Sequence, residues 1–174
     1  AAYNTYQDSR MEKAAIALDA ALQNKDARRE MLQQVQNDYA ATPSALWAAI
    51  ALARMDEEEK KTDEAIQRYQ AVRAKLEQKS PLIPLVLGKL AALEEEKKNG
   101  DAALAYYQEM AKLDGFAADA YLNMGRIYEE QGKKDDALGM YKQFLDFTAV
   151  TTEASGTDPR RQMIQSHIEL LQAK

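Results

Sequence analysis

Residues 121–144 read YLNMGRIYEEQGKKDDALGMYKQF, and the order of apolar and small residues within them decides the fold. Tyr121, Met124, Gly125 and Tyr128 recur at i, i+3, i+4 and i+7, one face of a helix. Ala137, Tyr141 and Phe144 mark the inner face of a second helix beyond a turn at Gly132. Folding the two segments back on each other brings both faces together, and Gly125 lets the backbones approach closely.

The neighbouring segments align with this unit. Ala103 and Tyr107 precede Ala137 and Tyr141 by 34 residues (137 − 103, 141 − 107), and Ala65 and Tyr69 precede Ala103 and Tyr107 by 38 (103 − 65, 107 − 69). The additional residues fit a longer turn at positions 75–80. The tripled Glu followed by two Lys at Glu57 recurs at Glu94, a shift of 37 (94 − 57). Aromatic-x2-apolar-Gly-x2-Tyr followed by Ala-x3-aromatic resembles the tetratricopeptide repeat (TPR) pattern. Ala149 stands where that pattern usually has Pro, which leaves the helix pair intact and its exit angle open. In the second and first repeats Glu94 and Asp56 stand where the third has Tyr128.

This resemblance implies an all-α, right-handed α-solenoid of antiparallel TPR-like helix pairs, about nine helices in all, with a C-terminal capping helix. It implies a single domain over 1–174: a degenerate pair at 1–41, repeats at 42–79, 80–115 and 116–148, a loop at 149–157 and the capping helix at 158–174.

In chain order, Met11, Ala14, Ala15, Leu18, Ala21 and Leu22 give the first helix an apolar face. Asp26 is expected to cap a second helix carrying Met31, Leu32, Val35 and Tyr39. Thr42-Pro43 predicts a cap and a first-turn Pro. In the helix that follows, SALWAAIALARM (44–55), the first half, from Leu46 to Leu52, is apolar nearly all round and should be buried between neighbours. Thr62-Asp63-Glu64 opens the fourth helix with a cap and two acids, and Ser80-Pro81 the fifth, with Pro84 able to kink it or shift its start. Asn99-Gly100-Asp101 reads as a turn, Asp114-Gly115 as a helix end, 148–158 as a surface loop and Asp158-Pro159 as the start of the last helix. Met163, Ile164, His167, Ile168, Leu170 and Leu171 give that helix a face able to cover the preceding pair.

Composition narrows the function. A charge of −5 with no basic stripe argues against general nucleic-acid binding, which needs phosphates neutralised. With no Cys there are no disulfides or thiolate sites, and a lone His167 beside Ile164 and Ile168 reads as a half-buried structural residue rather than a metal or catalytic centre. No P-loop, GxSxG, HExxH or EF-hand spacing occurs, and no carboxylate pair sits in an apolar setting that would raise a pKa for acid catalysis. Neither an enzyme nor a cofactor is expected. Trp47 is read as packing within its apolar helix, with a partner anchor as the alternative. Tyr69, Tyr107, Tyr128 and Tyr141 have the spacing of core residues.

By the TPR resemblance, the first helix of each pair faces an inner groove. It carries Ile50, Arg54, Glu57 and Glu58 in the first repeat, Gly88, Ala92, Glu95 and Glu96 in the second, and Leu122, Arg126, Glu129 and Glu130, with Asn123, in the third. Three acidic pairs are either solvated helix ends or a rim favouring a partner with basic and apolar residues. TPR domains that hold a C-terminal carboxylate use Lys, Asn and Arg there. Only Asn123 and Arg126 match, so that role is not expected.

The expected function is a non-catalytic adaptor for a protein or peptide; the alternative is a module that self-assembles through its first or last helix. Tyr6-Gln7-x-Ser9-Arg10, Ala14-Ala15, Leu18-x2-Ala21 and SALWAAIALA (44–53) more narrowly resemble the region just after the membrane anchor of the periplasm-facing TPR-like proteins that accompany the bacterial Sec translocon. That resemblance implies an inner-membrane anchor preceding Ala1 and a role in envelope protein translocation or assembly, with the cytoplasm as the alternative compartment. Tyr3 and Tyr6 would suit a membrane interface.

Overall fold

Helix-favouring residues and short polar breaks produce a chain of helices. The computed structural model describes residues 2–151 and 158–173, and these form α1 (Ala2–Gln23), α2 (Arg28–Asp38), α3 (Pro43–Glu58), α4 (Thr62–Lys75), α5 (Ile83–Glu96), α6 (Gly100–Met110), α7 (Ala117–Glu130), α8 (Lys134–Thr151) and α9 (Arg160–Gln172). No strand occurs among the described residues. The chain divides into two compact units, Ala1–Ser80 and Pro81–Lys174.

In the first unit α1 packs on α2 and α3, and α3 packs on α4. Ala21, Leu32, Val35, Ala48 and Leu52 form a core that Leu18, Met31 and Tyr39 flank. The small residues Ala14 and Ala21 let α1 approach closely, while Met11, Leu22 and Ile16 remain exposed. The expected α1 face is therefore only partly covered. Asp26 does not cap α2: the Asn24 side chain accepts from the amides of Asp26 (3.0 Å) and Ala27 (2.8 Å), closing the turn two residues earlier. Thr42 does cap α3, accepting from Ala45 N at 3.3 Å, with Pro43 in the first turn. Thr62 provides no side-chain cap for α4, whose start is continuous with the preceding turn.

The three pairs α3–α4, α5–α6 and α7–α8 close through the same turn. Lys60, Lys98 and Gly132 take left-handed backbones (φ 60°, 59° and 70°), and the next residue's amide bonds back to Asp56, Glu94 and Tyr128 O at 2.8 Å each time. The left-handed residue of the second repeat is thus Lys98, not Gly100. Gly100 instead begins α6, where a Cβ would lie 2.8 Å from Gln131 Nε2 and 3.1 Å from Ile127 Cγ2. At Gly125 a Cβ would fall 2.5 Å from the Tyr141 ring, the close approach read from the sequence.

In the second unit α5 packs on α6, α6 on α7, α7 on α8, and α8 on α9. Pro84 lies in the first turn of α5, so that helix starts at Ile83 instead of at Pro81. Helix α6 ends at Met110, short of Asp114, because Lys112 and Leu113 turn to i−3 carbonyls; Gly115 then takes φ 83°. Helix α8 continues to Thr151, past the expected loop boundary. Thr148 is buried there, its hydroxyl donating to Phe144 O at 2.7 Å and lying 2.6 Å from Arg161 Nη1 of α9, so a β-branched polar residue is accommodated inside the helix. Residues 152–157 of the expected loop lie outside the described residues. Ile164 and Ile168 of α9 join Ala137, Leu138, Tyr141 and Phe144 in one core, while Met163 and Leu170 point outward.

Candidate functional site

The acidic pairs at the ends of α3, α5 and α7 are not runs of equivalent carboxylates. In each pair the first Glu receives a hydroxyl from the Tyr twelve residues on: Tyr69 to Glu57 (2.5 Å), Tyr107 to Glu95 (2.7 Å) and Tyr141 to Glu129 (2.5 Å). All three Tyr are buried. Burial first, and then the hydrogen bond to a carboxylate, push each phenol well above its ordinary pKa. These bonds tie the second helix of each pair to the first, so Glu57, Glu95 and Glu129 serve the fold. Glu95 also takes Arg126, and Glu129 Oε2 lies 2.9 Å from His167 Nε2 of α9. His167 further meets the Tyr141 ring edge to face at 5.3 Å. It is a half-buried structural residue.

Asp56 occupies the place of Tyr128 in a different way. It is 2% exposed, yet Arg29 Nη1 of α2 reaches Oδ1 at 2.8 Å and Arg68 Nε of α4 reaches Oδ2 at 2.6 Å. Two guanidinium groups thus replace the packing of a ring, and the Asp56 bond holds the Arg29 pKa up. Glu94, likewise buried, accepts from Asn99 Nδ2 at 2.9 Å.

The remaining groove candidates divide by exposure. In the first unit Ile50 is buried, because the all-round apolar half of α3 turns it into the core. Trp47 is not buried: it is 46% exposed, contrary to its expected packing role. Arg54 and Glu58, seven and eleven residues on, share its face of α3 and are exposed. Arg54 has no hydrogen bond or ion pair among the described residues.

In the second unit Ala92 and Glu96 are exposed on α5. Leu122 packs against the α7–α9 core, and Asn123 donates to Asp119 O at 3.0 Å, so neither is fully presented. Arg126 bridges Glu95 and Glu130, the latter at 2.7 Å. Glu95, Glu130, Lys98, Ile127 and Gln131 line a cleft of about 450 Å³. Its rim is of mixed charge rather than acidic. Among the described residues no helix is long and apolar enough to cross a membrane, and Tyr6 is exposed while the Tyr3 side chain lies outside them.

A family model described as a tetratricopeptide repeat-like domain matches residues 1–173. No curated protein matches the chain. Among solved structures, a tetratricopeptide repeat protein from Parabacteroides merdae ATCC 43184 is similar at 15% identity with a TM-score of 0.62, over 95% of this chain and 60% of that one. BtubC (BKLC) from P. vanneervenii is similar at 15% identity and TM-score 0.58, over 93% and 79% of the two chains. A putative kinesin light chain from Podosopora anserina with nearly identical TPR-like repeats gives 18% identity and TM-score 0.56, over 95% and 94%. At such identities the likeness shows the fold alone, an all-α solenoid of TPR-type helix pairs.

Proposed function

Because the chain belongs to the tetratricopeptide repeat-like domain family, we propose that it is a non-catalytic adaptor that holds a protein or peptide, through the exposed face of α3 in the first unit and through those of α5 and α7 in the second. The observation that carries this reading is Trp47. A large aromatic left half in water on a helix that buries many of its other apolar residues offers apolar area at little entropic cost, and such residues dominate binding energies where they become covered. Arg54, without an ion pair, and Glu58 extend the same face, so the partner segment presents an apolar side chain to Trp47, a carboxylate to Arg54 and a basic residue to Glu58. In the second unit Glu96 and the Arg126–Glu130 pair provide the corresponding polar contacts. The work of this adaptor is envelope protein translocation or assembly, a placement supported by the resemblance of residues 6–21 and 44–53.

A second reading, self-assembly, is favoured by the exposed Met11, Ile16 and Leu22 of α1 and Met163 and Leu170 of α9. One experiment separates them. A photo-crosslinking amino acid is introduced singly at Arg54, Glu96 and, as a control, Lys142, in the protein as expressed in its source organism. One discrete adduct with the same envelope protein at Arg54 and Glu96, absent at Lys142 and lost with Trp47→Ala in a folded chain, is expected. An adduct with a second copy alone would replace the adaptor reading by self-assembly. A cytosolic partner would remove the envelope placement, and adducts at none of the sites or equally at all three would contradict the surface.

A further inference from the structure

The first repeat lacks two large apolar side chains that the other repeats possess. Ala49 of α3 corresponds to Leu87 and Tyr121 (87 − 49 = 38, 121 − 49 = 72), and Lys75 of α4 to Leu113 and Phe147 (113 − 75 = 38, 147 − 75 = 72). In the third repeat Tyr121 and Phe147 meet edge to face with ring centroids 6.3 Å apart. In the first, a slot of about 340 Å³ is lined by Ala40, Ala45, Ala49 and Ala71, with Arg68 and Lys75 beside them. That is within the size range of ligand clefts, roughly 300–1,000 Å³. Ala49 is five and nine residues from Arg54 and Glu58, roughly 140° and 180° round the helix, so the slot opens away from the Trp47 face.

The other repeats indicate what belongs in such a place: leucine or an aromatic ring. The charges indicate what accompanies it. Arg68 Nε is committed to Asp56, whereas the exposed Lys75 has no hydrogen bond or ion pair among the described residues. Glu64, the rim's acidic residue, lies eleven residues from Lys75, roughly 16 Å along α4. A carboxylate is therefore favoured at the Lys75 end. We propose that this slot receives an aromatic or leucine side chain from a partner protein segment that carries a carboxylate beside it, directed at Lys75. The surface is separate from the one bearing Trp47 and does not depend on it.

The test is an amide NMR titration of the full chain with a short amphipathic peptide bearing one Phe with Glu three and four residues on, and with the same peptide carrying Lys for Glu. Saturable shifts are expected at Ala45, Ala49, Ala71 and Lys75, at least about tenfold weaker for the Lys peptide. Ala49→Tyr with Lys75→Phe, which restores the ring pair of the third repeat, should abolish them. Lys75→Glu, a surface change that leaves helicity intact, should weaken binding about tenfold and decides the matter if the filled variant does not fold. Absence of saturable shifts up to about 5 mM, shifts confined to other helices, or undiminished binding by Lys75→Glu would overturn the proposal.

Discussion

Above pH 10 the protein is expected to lose stability at about 4 kcal/mol per pH unit, because three phenol protons are retained by the fold and released by the unfolded chain. Tyr69, Tyr107 and Tyr141 are buried against Glu57, Glu95 and Glu129, and both burial and the adjacent carboxylate favour the neutral phenol. Their folded pKa values lie above the unfolded value of about 10. The stabilisation is therefore complete below pH 10 and lost as pH rises toward the folded values. Each retained proton gives a slope of about 1.4 kcal/mol per pH unit. A domain of ordinary stability, about 5–15 kcal/mol, would be spent within a few pH units. Urea unfolding at a series of pH values checks the slope, and phenolate absorbance checks its origin. Three of the nine tyrosines should ionise only as helicity is lost. Ionisation of all nine with helicity intact would refute the assignment.

Asp56→Ala should destabilise the protein by about 2–3 kcal/mol, at or just below the lower end of losses for broken buried ion pairs. The carboxylate is 2% exposed and both its oxygens are bonded, so the substitution leaves two guanidinium groups facing an apolar gap. Their side chains are 23% and 30% exposed, which allows partial rehydration and moderates the loss. Arg29 also keeps Glu59 at 2.9 Å. Replacing the whole cluster through Arg29→Met, Asp56→Leu and Arg68→Met should recover most of the loss. Denaturant midpoints at unchanged m measure both effects. A loss below about 0.5 kcal/mol for Asp56→Ala would mean that the carboxylate is incidental.

The helix pairs were legible because their determinants are local and periodic. Gly125 and Tyr141 meet at the crossing of α7 and α8, and the pair Ala137 and Tyr141 recurs as Ala103 and Tyr107 and as Ala65 and Tyr69. Termini were less legible. Whether Asn24 or Asp26 closes the turn before α2, and whether Lys98 or Gly100 adopts the left-handed backbone, depends on hydrogen bonds between neighbouring turns that composition does not distinguish. The exposure of Trp47 is hidden for a related reason: a helix segment apolar all round does not reveal which side its neighbours cover. The bracketing of Asp56 by Arg29 and Arg68 joins three helices, and nothing in the spacing marks it. The spacing of the acids and tyrosines also carries a signal. Glu57 and Tyr69, Glu95 and Tyr107, and Glu129 and Tyr141 are each twelve residues apart, a recurrence that assigns the first acid of each pair to the fold and leaves the second to the surface.

Glutamine substitution separates the two members of each acidic pair. The triple variant Glu57→Gln, Glu95→Gln, Glu129→Gln weakens the charge-assisted bonds to Tyr69, Tyr107 and Tyr141 and is predicted to lower unfolding free energy by about 1 kcal/mol per site. The triple variant Glu58→Gln, Glu96→Gln, Glu130→Gln should change stability by no more than about 0.5 kcal/mol in total, since those side chains are exposed. Equal losses in the two variants, or a larger loss in the second, would contradict the claim.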